Sequence, residues 1–334
     1  MNKERLKQDF YEAVNEEWQK TAKIPADKPA TGGFQDLVDG IDQLLMGETD
    51  DLLAHPEKVS SEKMKHFLAY YQLANDYDRR NELHAQPLQP IIEKVESLQS
   101  FDELNEQFPE WLLDTLPLPF NLDVDADMKN AQTNAFFAYP PSLFLPDKTY
   151  YASDHPNGAQ LIGVFFDMAV QLLELAGKEK SQAEAITEQA VQFDKLIAPH
   201  VKSAEENADY SKMYNPQSFD TFIQYTDKLD LKKLVTGLIG TTPDKVIVTD
   251  PVYFDHLNDI LTEAHFPLFK SWMIIKTVRS LSGYLSEEFR QVSGIYSRVL
   301  SGTDEAMPQK KAAYYLASGQ FDQVVGDYYG KKYF

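Results

Sequence analysis

The 334-residue chain contains no cysteine. Disulfides, thiolate nucleophiles, cysteine-ligated zinc and iron–sulfur clusters are excluded on that ground alone. Histidine is scarce too. There are seven (55, 66, 84, 155, 200, 256 and 265), and none is followed by Glu, so His-Glu-x-x-His is missing. Phosphate-cradling Gly-x-x-x-x-Gly-Lys, dinucleotide-binding Gly-x-Gly-x-x-Gly and the nucleophile elbow Gly-x-Ser-x-Gly are missing as well. No catalytic residue, metal ligand or bound cofactor is therefore assigned to this chain. Asp123-Val124-Asp125-Ala126-Asp127 starts like a calcium loop but has Met128 where the loop needs Gly and Asn134 where it needs Glu. It is read as a solvated turn.

Long apolar runs are also wanting. The stretch Leu161–Leu175 is interrupted by Asp167 and Gln171, so no membrane span is expected. Met1–Arg5 leads into an amphipathic segment without an apolar core, and no signal peptide is expected. Positive charge is in deficit: 32 Lys and Arg against 52 Asp and Glu give a net charge of −20. Such a chain is repelled by nucleic acid and by anionic membranes, so neither is expected as a partner. These features fit a cytoplasmic protein.

Helical spacing is abundant. Phe34, Leu37, Ile41, Leu44 and Leu45 fall on one helical face, as do Met64, Phe67, Leu68, Tyr71, Ala74 and Tyr77. Leu161 to Leu175 form a third stripe, which Gly177 should end. Ser100 with Glu103 and Ser181 with Glu184 read as capping boxes. A long helical region is expected over 267–300, kinked at Ser282-Gly283, and a pair of helices over 308–318 and 321–334. Strand signals are few: Phe120–Val124 and Thr133–Tyr139 suggest a hairpin turning at 125–127, and Lys245–Val248 is a β-branched run. The fold class expected is mainly α, a multi-helix domain with a small β-hairpin element. Asp255-His256 and Glu263-Ala264-His265 lack the i, i+4 spacing of a helical metal pair and are read as surface or interface residues.

Several marks, scattered but ordered, carry a resemblance. Asp9-Phe10-Tyr11, Asn15, Trp18 and Ile24-Pro25 resemble the N-terminal signature of the neprilysin and endothelin-converting-enzyme family of zinc endopeptidases. Thr31-Gly32-Gly33-Phe34 stands where that family has Tyr-Gly-x-Phe. Leu145-Pro146-Asp147-Lys148-Thr149-Tyr150-Tyr151, Met213-Tyr214-Asn215 and the spacing of Gly326, Tyr329 and Phe334 follow in family order. The likeness is greatest to the cysteine-free bacterial oligopeptidases of the family.

The resemblance implies a chain twice this length, with zinc and the general base in a second half beyond residue 334. This chain would be the N-terminal, non-catalytic part, inactive alone. Residues 1–33 would pack on the catalytic half, and residues 34–334 would form a helical cap that shapes a chamber and restricts substrates to short peptides. Gly32, Gly33 and Phe34 are the candidate substrate-contacting residues. Asn134-Ala135-Phe136-Phe137 resembles a substrate-clamping strand of the absent half but is read as structural. Ala30 replaces an Arg that in many members helps hold the substrate carboxylate, so a preference for free peptide C-termini does not carry over. The alternative is a stand-alone, non-catalytic helical binding protein, which would leave no apolar surface open. The peptidase reading requires such a surface around Phe10, Tyr11, Trp18 and Phe334.

Overall fold

The three- and four-residue apolar spacing folds into helices joined by short connections, with one small sheet. The computed structural model describes residues 4–334, so the first three residues of the 1–33 segment lie outside it. The principal helices are α1 (Phe10–Thr21), α2 (Gly33–Ala54), α3 (Glu62–Asn75), α4 (Gln89–Ser97), α5 (Gly158–Leu175), α6 (Lys180–Ile197), α7 (Phe266–Leu281), α8 (Gln309–Gln320) and α9 (Asp322–Tyr333). The strands are β1 (Asn121–Asp127), β2 (Asn130–Tyr139), β3 (Pro216–Ser218) and β4 (Lys245–Val248). The fold is mainly α, as expected. The chain divides into two compact units, one of residues up to Glu82 with Ser297–Phe334, the other Leu83–Tyr296. Compactness thus groups α2 and the last two helices with the N-terminal segment, whereas the division at residue 33 was drawn on expected role.

In the larger unit α7 packs along α6, and α5 against both. Phe165, Phe193, Phe269, Trp272 and Ile275 are buried between them, each such side chain stabilising by about 1.5–3 kcal/mol. Phe269 stacks on Trp272 and Phe144 on Phe165. Helix α5 is long and apolar enough to cross a membrane by length and composition. Leu161, Phe165, Met168, Leu172 and Leu173 are nevertheless buried in this core. Gly177 ends it as expected, with φ of +92°, the left-handed conformation that suits Gly just past a helix. The first residue of α5, Gly158, is fixed by contact instead. A Cβ there would lie 2.2 Å from the Tyr150 carbonyl oxygen. Gly158→Ala should therefore destabilise the larger unit by about 1–3 kcal/mol, read as a lower urea midpoint.

Three local expectations need correction. Ser181 lies inside α6, whose N-cap is Glu179. The reciprocal capping box is instead at Ser203, whose hydroxyl accepts from the Glu206 amide while the Glu206 carboxylate accepts from the Ser203 amide. At Ser100 the hydroxyl accepts from the Glu103 amide, but the Glu103 carboxylate takes the Gln99 amide. The kink at Ser282-Gly283 is a full break. Ser282 Oγ bonds back to the Val278 carbonyl at 2.6 Å, and Ser286 caps a new helix, Glu287–Ser293.

The hairpin grows into a four-stranded sheet ordered β1-β2-β4-β3, with β4 parallel to β2 and antiparallel to β3. Its turn falls at Met128-Lys129, not at 125–127, because Asp123 and Asp125 lie within β1. Asp127 is pinned at the strand end by the Lys129 amide, Lys245 and Tyr214. These donors hold its carboxyl at about 2, below the usual range, the Lys245 ammonium contributing most. Phe136 and Phe137 are buried in β2, in keeping with a structural role for that segment.

In the smaller unit α8 packs on α3, burying Phe67, Leu68, Tyr71, Tyr314 and Ala317. Glu48 of α2 holds α9 by accepting from Lys332, from Tyr328 OH at 2.6 Å and from Tyr333 OH at 2.8 Å. Lys332 first, then the two hydroxyls, keep the Glu48 carboxyl down at about 2.

Candidate functional site

The local sequence places apolar residues on the outside of the smaller unit. Asp9 caps α1 by accepting from the Glu12 amide at 2.9 Å, and Asn15 bonds back to the Tyr11 carbonyl. Only Ala13 of this helix is buried. Phe10, Tyr11, Val14 and Trp18, at i, i+1, i+4 and i+8, are exposed, Phe10 by 69%, and Ile24 beyond the helix is exposed too. Gly32 is extended, and its carbonyl accepts from the Asp36 amide as α2 begins at Gly33. A Cβ on either glycine would meet nothing within 4 Å. The backbone at this turn is thus approachable from outside.

The stripe of α2 is helical as predicted, but it is not a core face along its whole length. Phe34 is 83% exposed and Leu37 65%, while Ile41 and Leu44 are open as well. Only from Leu45 onward does α2 pack inward, through Leu45, Leu52 and Leu53. Scattered exposed apolar residues are ordinary. Two successive helices that each turn an apolar row to solvent are not, and such rows mark an interaction surface. Phe334, after α9, is 97% exposed, its ring edge-on to Tyr329.

The expected Gly32, Gly33 and Phe34 therefore sit at the start of the α2 row. The sequence reading places Leu37, Ile41 and Leu44 on one helical face without saying what covers it, and passes over Val14. The signal was available, since the α1 and α2 rows follow each other with two glycines between.

The other ordered marks are spent inside the larger unit. Tyr151 OH donates to the buried carboxylate of Asp194 and accepts from the Leu145 amide at 3.1 Å. Asp147 accepts from the Thr149 amide at 2.8 Å and from the Ala204 amide at 2.5 Å. Asn215 Nδ2 donates to the Val248 carbonyl at 3.0 Å and ties β3 to β4. Asp194 also accepts from Trp272 Nε1 at 2.9 Å and the Phe144 amide at 2.8 Å. Burial pushes its carboxyl up, with the Lys276 charge and these donors opposing. Lys276 is brought down to about 8 by burial.

Among the described residues no group of three or more His, Asp or Glu side chains could hold a metal ion. His256 packs at a tilt against His200 with ring centroids 4.0 Å apart and bonds Asp259 at 2.9 Å. Burial and the neighbouring His256 lower the pKa of His200. His265 bonds the Ile260 carbonyl, so the two acidic-histidine pairs do not converge.

The sequence model of peptidase family M13 matches residues 6–334. The chain belongs to peptidase family M13. It is 37% identical over 330 residues to a putative zinc metalloproteinase of Streptococcus gordonii, covering 98% of this chain and 58% of that protein. It is 35% identical to a neutral endopeptidase of Lactobacillus helveticus, covering 98% and 50%. The solved structure of PepO from Lactobacillus rhamnosis matches with a TM-score of 0.92 at 31% identity, covering 99% of this chain and 52% of that one. The zinc metalloprotease Zmp1 of Mycobacterium tuberculosis shares the fold, with a TM-score of 0.87 at 18% identity. This M13 chain spans about half the length of the relatives it matches. It is the N-terminal domain of the family's peptidases. The zinc that the relatives' names imply finds no fitting donor set among the described residues.

Proposed function

We propose that this M13 chain is the non-catalytic part of a zinc endopeptidase of short peptides, and that its uncovered apolar rows receive the zinc-bearing second half. The observation that carries this reading is the exposure of Phe10, Tyr11, Trp18, Phe34 and Leu37 on α1 and α2. A self-sufficient binding protein would have covered them. In this reading the larger unit caps the chamber and excludes folded substrates, while the backbone at Gly32 and Gly33 lies where the two halves meet and can touch peptide.

Mixing the chain with the second half of a family M13 member and zinc tests the reading, with a quenched fluorescent peptide of short length as substrate. Neither half alone should turn it over, and the pair should do so until a chelator is added. Chelator-sensitive turnover by this chain alone, at the rate of a full-length relative, would sink the proposal. So would a failure of the two halves to associate.

A further inference from the structure

The connection between the two apolar rows is itself held down. Residues 22–32 join α1 to α2 and carry Pro25 and Pro29, which restrict the backbone around them. The Lys28 amide donates to the Pro25 carbonyl at 3.0 Å and closes a turn. Within that turn the Ala26 carbonyl accepts from the Asp304 amide at 2.9 Å and the Glu305 amide at 3.1 Å. Lys28 Nζ then reaches α2 and binds the Asp39 carboxylate.

Asp39 is one link in a longer run of charges. Lys311 of α8 lies 3.3 Å from Asp39 and 2.8 Å from Asp42, which also accepts from Tyr315 OH. None of the four charged side chains, Lys28, Asp39, Asp42 and Lys311, is more than 25% exposed. Charges so placed, sharing partners, are screened less than the open surface pairs that contribute almost nothing. The Lys28 ammonium does most to hold the Asp39 carboxyl below its usual range. Asp39 stands two residues from both Leu37 and Ile41, about 200° round the helix. The run of charges therefore grips the back of α2 and leaves its apolar row open. Helix α1 has little else of its own to hold it. It buries only Ala13, and a free helix of its 12 residues is marginal in water.

We propose that Lys28 is a positioning residue for the docking surface. Its ion pair with Asp39 fixes the 22–32 connection, and with it the α1 row, relative to the α2 row before the second half arrives. This rests on the two rows being where that half docks, as proposed above. A tether held four residues beyond the end of α1 keeps the helix at high local concentration near its seat, so a thin contact such as Ala13 suffices. A surface ordered in advance spares association the cost of ordering a loose helix.

Hydrogen exchange on the isolated chain, followed by mass spectrometry, reads the first step without the second half. The α1 amides should be protected in wild type and exchange about tenfold faster in Lys28→Gln. Lys28→Arg, which keeps the charge, should restore the protection. The urea midpoint should be the same in Lys28→Gln and wild type, which separates positioning from a role in global stability. With the second half added, Lys28→Gln should need about tenfold more of it for half-maximal peptide hydrolysis, yet reach the wild-type rate at saturation. Lys58→Gln, whose pair with Asp51 is exposed, should change none of these quantities. Unprotected α1 amides in wild type, equal protection in Lys28→Gln or a lowered urea midpoint overturns the role of Lys28. So does an unchanged requirement for the second half. Wild-type halves that fail to associate overturn the docking reading instead, and the exchange result still decides whether Lys28 holds α1.

Discussion

Asp194→Ala should cost the larger unit about 3–5 kcal/mol, the loss typical of breaking a buried charged network by removing one member. Asp194 is fully buried on α6 and gathers three donors from three other segments: the Phe144 amide, Tyr151 OH and Trp272 Nε1. Truncation leaves all three without this acceptor, two of them fully buried and Tyr151 half-buried, and each orphaned buried polar group costs about 1–3 kcal/mol. Asp194→Asn keeps the volume and one carbonyl oxygen, but its NH₂ faces a donor, so it should fall between wild type and Ala. Urea unfolding followed by tryptophan fluorescence measures the series, because Trp272 reports on the site itself. A loss below about 1 kcal/mol for Ala would show that these bonds do not hold the unit together. A second readout is Lys276, which burial brings down to about 8 while the nearby Asp194 charge pulls it back up. In Asp194→Asn its titration should move lower still.

The same network shows what the sequence could and could not disclose. The segment Leu145–Tyr151 was recognisable as a mark of the family, yet its purpose was not, because the partner carboxylate lies 43 residues beyond Tyr151. Nothing in local spacing announces Asp194 as more than one of 52 acidic residues. Helices were legible wherever one apolar stripe ran through good helix formers, as in α5, and where a left-handed Gly ended them, as at Gly177. The three-residue strand β3 was missed because its pairing with β4 is long-range and its length too short to show alternation. Asp123 and Asp125 misled for a related reason. Aspartate favours turns, but here it occupies an edge strand, where each side chain accepts from the next residue's outward amide, Val124 or Ala126. Charged residues on an edge keep it from pairing with another chain.

The α2 stripe poses the opposite problem, for its periodicity is legible in the sequence and its exposure is not. An apolar face at helical spacing says that something covers it, without saying that the cover is in the same chain. Phe34→Ser with Leu37→Ser should therefore separate folding from association. Neither side chain is buried here, so the isolated chain should keep its stability within about 0.5 kcal/mol, as for ordinary surface changes. If a second half docks on this row, each residue brings about 1.5–3 kcal/mol of burial. Together that is two or more powers of ten in affinity, at about 1.4 kcal/mol for each power of ten. The double variant should thus need at least 100-fold more of the second half to reach half-maximal peptide hydrolysis. Leu73→Ser, an equally apolar loss at an exposed position of α3, should change neither quantity. Unimpaired activation of the double variant would remove the α2 row from the docking surface. A collapse of stability in the isolated chain would instead assign Phe34 and Leu37 to the chain's own core.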